Sequence, residues 1–124
     1  LDSDVVKMAS EKASTSGGSV TISHNQSEAF KDADIIVAKS WASLSYFGDW
    51  EKESAHRKKF EDWIVNEEKM KLTNNALFLH CLPVRRNVEV TDGVLDGPQS
   101  KVIDEAENRM WVQMAIISYL LNKT

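Results

Sequence analysis

Ala76-Leu77-Phe78-Leu79-His80-Cys81-Leu82-Pro83-Val84-Arg85-Arg86 is an apolar run that stops at a cluster of chemically able side chains. The run suits a parallel-sheet strand buried on both faces, and the proline that follows cannot extend a hydrogen-bonded ladder. In open α/β sheets the functional groups gather beyond the carboxyl ends of strands. His80 can donate a hydrogen bond, Cys81 can offer a thiol or a main-chain carbonyl, and Arg85 and Arg86 bring fixed positive charge. The set suits an anionic substrate.

The chain has 124 residues, 42% hydrophobic and 27% charged, which bounds it to one soluble domain with a modest core. Its net charge of −4 argues against a nucleic-acid binder, so positive charge here is local. No apolar run approaches the roughly 20 residues a membrane span needs, and the first residues lack a signal-peptide pattern. A cytoplasmic protein is the default expectation. The single cysteine cannot form an internal disulfide.

Upstream of the central strand the pattern is that of alternating helices and strands. Ser3 or Asp4 can cap a first helix whose apolar face comes from Val5, Val6, Met8, Ala9 and Ala13, ended by Gly17-Gly18. Ser19 to Ser23 reads as a short strand, Ser27 to Lys31 as a brief helix, and Asp34 to Ala38 as a second buried strand with Lys39 at its carboxyl end. Val20, Ile36 and Phe78 are expected on successive strands of a parallel sheet. Ser40 to Arg57 reads as a long loop rich in aromatic residues that pack it onto the domain, and Lys58 to Asn66 as a helical face.

Downstream, Thr91 caps a short helix over Asp92 to Leu95, Lys101 to Ile103 is a last strand, and Asp104 or Glu105 opens a terminal helix. Met110, Met114, Ile117, Leu120 and Leu121 form its stripe.

Two chemistries can be set aside on spacing. Zinc needs three or four convergent ligands, and His24 and His56 lie in segments without ligand spacing, so no metal is expected. A Cys-His nucleophilic pair is disfavoured because neighbours on extended backbone point apart.

His80-Cys81-Leu82-Pro83 followed by Arg85-Arg86-Asn87, with Asp104-Glu105-Ala106-Glu107-Asn108-Arg109 downstream, resembles the second domain of the aspartate/ornithine carbamoyltransferase family. Ala38-Lys39-Ser40-Trp41, Leu72-Thr73-Asn74-Asn75 and Val90-Thr91-Asp92 fit in the same order, nearest to the N-acetylornithine and N-succinylornithine carbamoyltransferases.

The resemblance implies a Rossmann-like parallel sheet flanked by helices, with residues 1–124 forming part of the amino-acid-binding domain. The carbamoyl-phosphate domain, with its Ser-x-Arg-Thr-Arg loop and His-Pro-x-Gln motif, is absent, and the start at Leu1 without an initiator Met reads as a cut inside a larger protein. The implied reaction is carbamoyl transfer from carbamoyl phosphate to the δ-amine of an N-acylated ornithine in arginine biosynthesis. No cofactor is implied, and the implied complete enzyme is a homotrimer.

Residue by residue, His80 and Arg109 are the implied catalytic groups, and His80, Cys81, Leu82 and Arg109 the carbamoyl-phosphate contacts. Lys39, Cys81, Leu82 and Arg86 are the acylornithine contacts; of Arg85 and Arg86 one is expected to serve substrate and the other to tie the loop to acidic neighbours, and the sequence does not assign which. Without the resemblance, Lys39 is an ordinary solvated loop lysine and Arg109 a surface residue balancing Glu105 and Glu107. Glu89 stands where some N-acetylornithine carbamoyltransferases carry a lysine that becomes carboxylated. A glutamate supplies an anion there unmodified, so no carboxylated lysine is expected at this position.

In the acylornithine enzymes the Ser40–Arg57 region threads a proline-rich loop to make a backbone knot, but the loop it would thread is not in this sequence. Two alternatives stand beside this reading: a carbamoyltransferase for ornithine or another amine, and a non-catalytic Rossmann-like module that binds an anion or a partner.

Overall fold

Phe78, fully buried, sits where three stretches of backbone meet. It belongs to the strand β2 (Leu77–His80), which pairs in parallel with β1 (Ile35–Ala38) in the register Ile35 with Leu77, Ile36 with Phe78, Val37 with Leu79 and Ala38 with His80. On its other side, Phe78 N donates to Gln99 O at 2.9 Å and Lys101 N donates to Phe78 O at 2.8 Å. The computed structural model describes residues 2–123; Leu1 and Thr124, the ends of the expected domain, lie outside the described residues.

Around this small sheet run α1 (Ser3–Ser16), α2 (Gln26–Phe30), α3 (Trp50–Arg57), α4 (Glu67–Met70), α5 (Asp92–Leu95) and α6 (Val102–Leu121). The core joins Phe30 of α2, Ile36 of β1, Met70 of α4, Phe78 of β2, Val94 and Leu95 of α5 and Val102 of α6. A parallel α/β arrangement with helices flanking the sheet, as expected, is what forms.

Local chemistry explains most boundaries. Asp2, rather than Ser3 or Asp4, caps α1, its carboxylate accepting from the Asp4 and Val5 amides, and Gly17 closes the helix in the left-handed region at φ 77°. Asn25 caps α2 and Asn66 caps α4 in the same way. Lys69 of α4 fastens three neighbours: its ammonium donates to Gln26 Oε1 and Ile64 O, each at 2.7 Å, and to Asp62 O. Burial lowers the pKa of this ammonium, and the nearby Asp62 charge partly restores it.

Several expectations are corrected. Ser19 to Ser23 is not a strand: among the described residues no backbone pairs with it as a ladder, and Val20 and Ile22 stay exposed. Alternating apolar residues make a strand only where a partner completes the ladder. Lys101 to Ile103 is not a strand either. Pairing with β2 is confined to a single bridge at Ser100, and Val102 already belongs to α6, with Asp104 and Glu105 inside its first turn, where acidic side chains meet the positive end of the helix dipole.

The segment Ser40 to Arg57 is not a plain loop. Its second half is α3, capped by Asp49, whose carboxylate accepts from the Lys52 amide. Tyr46 and His56 pack as tilted rings with centroids 5.3 Å apart and His56 and Phe60 likewise at 5.2 Å, but Phe47 and Trp50 remain exposed, so only some of its rings pack. Lys58–Trp63 winds as a 3-10 helix broken at Phe60 (φ −123°, ψ 23°). The apolar stripe of α6 stays exposed, Met110, Met114, Ile117, Leu120 and Leu121 all being at least half accessible.

Since Phe78 touches solvent nowhere and its backbone joins both neighbours, Phe78→Ala should cost about 3–5 kcal/mol of unfolding free energy. Urea unfolding followed by circular dichroism checks this; a loss below about 1 kcal/mol would place the core elsewhere.

Candidate active site

The parallel register sets Ala38 beside His80, so the two chain segments leaving β1 and β2 emerge at one level. Lys39 and Cys81 are the next residues, and Lys39 Nζ lies 3.2 Å from Cys81 Sγ. Both are exposed, so a cation and a soft sulfur stand together at the solvent end of the sheet. A thiol accepts hydrogen bonds weakly, which leaves the ammonium available to a stronger acceptor.

His80 is fully buried. Its Nδ1 accepts from the Leu82 amide at 3.0 Å, so the proton of the ring sits on Nε2. That Nε2 is buried and has no hydrogen-bond partner among the described residues. A buried donor without an acceptor costs about 1–3 kcal/mol, and such a group is one that a ligand oxygen can satisfy. The turn that follows is tight: Leu82 holds the left-handed region at φ 48°, and the Leu82-Pro83 bond is cis. A non-glycine residue in that region costs roughly 1–3 kcal/mol, a strain that recurs at functional sites.

The two arginines have separate employments. Arg85 binds Glu89 twice, through its amide to Oε2 at 2.5 Å and its Nε to Oε1 at 2.6 Å, and its Nη2 donates to the main-chain oxygen of Trp41 at 2.7 Å. Arg86 is held by Asp92 and Asp96: Nη1 reaches Asp92 Oδ1 at 2.7 Å and Asp96 Oδ2 at 2.6 Å, and Nη2 reaches Asp96 Oδ1 at 2.7 Å. Asn87 adds a bond to Asp92 Oδ2 at 2.8 Å. Arg86 thus fastens the loop to α5, with its guanidinium engaged by acidic neighbours. The hydrogen bond from Arg86 holds both carboxylates below their usual pKa range, and those carboxylates raise Arg86 in turn.

Arg109 lies on the second turn of α6, exposed, and its side chain makes no hydrogen bond or ion pair with another described residue. The described residues therefore gather Lys39, His80, Cys81 and Leu82 at one sheet end and leave Arg109 on a helix beside it. A cavity of about 440 Å3 opens along β1 beneath this end. Its wall is mainly apolar, with Phe30, Ile36 and Trp41; Lys39 brings charge to it, while the Glu89 that borders it keeps its carboxylate buried. Among the described residues no three His, Cys, Asp or Glu side chains converge to hold a metal ion, and no helix is long and apolar enough to cross a membrane.

The contribution of Trp41 was not legible from its side-chain type, because it acts through a main-chain oxygen. Glu89 carried a signal, its spacing of four from Arg85, but that spacing speaks for pairing only on a helix.

Fold and site together define a parallel α/β module that presents a cation and a buried imidazole at the carboxyl end of its strands. A family model described as aspartate/ornithine carbamoyltransferase, Asp/Orn binding domain, matches residues 1–120, and the chain belongs to that family. It is 47% identical over 124 residues to an N-acetylornithine carbamoyltransferase of Xanthomonas campestris pv. campestris, all of this chain and 37% of that protein. It is 43% identical over 121 residues to an ornithine carbamoyltransferase of Caldicellulosiruptor saccharolyticus, 97% of this chain and 38% of that protein. A crystal structure of acetylornithine transcarbamylase complexed with acetylcitrulline superposes with a TM-score of 0.85 at 48% identity, covering 97% of this chain and 36% of the other. A variant of N-acetyl-L-ornithine transcarbamylase complexed with carbamyl phosphate and N-succinyl-L-norvaline gives the same score, identity and coverage. The chain thus spans little more than a third of the length of these relatives.

Asp92 and Asp96, with pKa values depressed on folding, contribute stability that is complete above the unfolded carboxylate value, about pH 4, and is lost as pH falls through the folded values. Arg86→Met should therefore lower the melting temperature slightly near neutral pH, and the difference from the parent should shrink under acid and in high salt, since all three groups are exposed. Melting curves across pH and salt check this; a difference unchanged in acid would show that Arg86 acts by packing.

Proposed function

We propose that this chain is the amino-acid-binding part of an enzyme that transfers the carbamoyl group of carbamoyl phosphate to the δ-amine of an N-acylated ornithine, with N-acetylornithine favoured. The reaction is attack of the amine nitrogen on the carbamoyl carbon, followed by departure of phosphate with the electrons of the broken C–O bond. The amine gives up a proton on the way, and the departing phosphate can accept it.

The observation that carries the reading is the 3.2 Å approach of Lys39 Nζ to Cys81 Sγ, which unites the proposed amino-acid-binding cation with the His80-Cys81-Leu82-Pro83 turn at one sheet end. In this reading Lys39 takes the carboxylate of the acylated amino acid, exchanging a weak sulfur acceptor for a charged one. The Nε2–H of His80 donates to the carbamoyl oxygen, stabilising charge as it develops in the transition state. Cys81 and Leu82 line the reacting centre partly through main chain. Arg109 reaches carbamoyl phosphate once the rest of the site surrounds it, and Arg86 holds the loop rather than the substrate. Positioning and charge stabilisation suffice, so no covalent intermediate or cofactor enters.

The complete enzyme, in this proposal, is a cytoplasmic homotrimer of the arginine pathway. Its phosphate-binding loop comes from a carbamoyl-phosphate domain and part of each site from a neighbouring subunit. Transfer to ornithine itself is the second reading, favoured by the 43% identity to an ornithine carbamoyltransferase.

Two experiments test the assignment. In the complete enzyme, Lys39→Met should weaken acylornithine binding by about 1.5–3 kcal/mol, the worth of a charge-assisted hydrogen bond, and leave carbamoyl phosphate binding nearly unchanged. Calorimetric titration of each substrate checks this, and equal weakening of both would sink the role given to Lys39. Residues 1–124 alone should show no measurable transfer, because one half-site cannot raise the effective concentration of two substrates. Citrulline-type product formed at the rate of a complete enzyme would overturn that expectation.

A further inference from the structure

Acidic side chains crowd the start of α6, and two of them are engaged. Asp104 Oδ2 pairs with Lys101 Nζ at 3.1 Å, and Glu107 Oε1 accepts from Trp111 Nε1 at 3.2 Å. Glu105 differs: its Oε2 is buried and has no hydrogen-bond partner among the described residues. Arg109 stands four positions on, the spacing at which a glutamate and an arginine ordinarily pair on a helix, yet it does not take that oxygen. A carboxylate oxygen held out of water without a donor is costly.

The backbone carries Glu105 to the carboxyl end of the sheet. Ser100 bridges to Phe78 in the parallel sense and Lys101 N donates to Phe78 O at 2.8 Å, so this segment runs beside β2 in the same direction as it enters α6. In that register Val102 falls level with His80. Val102 is buried in the core, and Glu105, three positions further, shares its side of the helix. His80 supplies a second orphan, a buried Nε2–H whose ring partner Nδ1 is already taken by the Leu82 amide. Ser100 Oγ is also unpartnered, but it lies deeper, level with Phe78. The site end of the sheet therefore holds one buried donor and one buried acceptor, each without a partner among the described residues.

We infer that Glu105 is a specificity-determining residue for the carbamoyl donor: its free oxygen accepts from the NH2 of the carbamoyl group whose oxygen accepts from His80 Nε2. This rests on the reading that His80 meets the carbamoyl oxygen, and it holds whichever amine receives the group. A carbamoyl carbon carries an acceptor oxygen and a donor nitrogen in one plane. A donor in the site would serve any carbonyl, whereas a donor and an acceptor together select an amide. An acyl phosphate with a methyl group in place of NH2 satisfies His80 and leaves the carboxylate unpaired, which penalises it.

The test uses the complete protein carrying this domain and two non-reacting phosphonates, phosphonoacetamide and acetonylphosphonate, which differ as NH2 differs from CH3. Calorimetric titration should show the parent preferring the amide. Glu105→Ala should weaken phosphonoacetamide at least about tenfold and leave acetonylphosphonate within about twofold, while Glu105→Gln, which keeps a neutral acceptor, should weaken the amide about threefold. A merely structural role would weaken both ligands alike in both variants, and that result overturns the inference. So does unchanged binding of phosphonoacetamide, or a parent that transfers carbamoyl groups yet binds the two phosphonates equally. Should Glu105→Ala fail to fold, the amide-selective loss in Glu105→Gln decides in the same way. Amide-selective loss in a parent that transfers no carbamoyl group would support the role of Glu105 and count against the carbamoyltransferase reading.

Discussion

The pairing of Ala38 with His80 is the constraint on which the rest of the domain depends. Parallel strands in register end together, so whatever follows them in sequence is forced into proximity, however far apart it lies in the chain. Lys39 and Cys81 are 42 positions apart and meet because two apolar tetrapeptides align. A slip of one residue in this register would turn His80 to the other side of the pleat and carry Lys39 away from the thiol. Specificity of the site is in this sense a by-product of sheet register, which buried Ile36 and Phe78 enforce.

Charge is arranged in two tiers around this point. Arg85 and Glu89 form an inner pair, the carboxylate sealed from solvent, which orients backbone. Arg86, Asp92 and Asp96 form an outer group, open to water, which secures the loop to α5 at little energetic gain. Among the described cations at the sheet end, Lys39 is exposed and has no acidic partner. An acidic chain with a local positive site results, so the net charge of −4 says little about the substrate.

How much of this the amino-acid order discloses depends on whether a feature is made by neighbours in sequence or by neighbours in space. β2 and β1 were legible because unbroken apolar tetrapeptides have few other uses, and α2 because Asn25 caps it; α5 forms over the expected residues, but the Thr91 side chain does not cap it and turns to Glu67 instead. Ser19 to Ser23 misled because alternation specifies a strand only when a partner exists, and Lys101 to Ile103 because a single bridge to Phe78 exhausts what the sheet can use there. α3 hid inside an aromatic-rich segment whose composition resembles a loop more than a helix. At the site, His80, Cys81 and Lys39 were visible as residue types at strand ends. The carbonyl of Trp41 was not, since every residue carries one and only the fold selects which is used.

The terminal helix gives the domain a mechanical character. α6 has 20 residues, a length of about 30 Å, yet its one buried residue is Val102, beside the bond from Lys101 to Phe78. Were it to swing as a rigid rod, its first turn would be the pivot. Arg109 lies seven positions from Val102, about 10 Å out, so a tilt of about 10° displaces its backbone by about 2 Å and the far tip by about 5 Å. Placing the arginine near the fulcrum makes its location insensitive to what the outer turns of the helix meet.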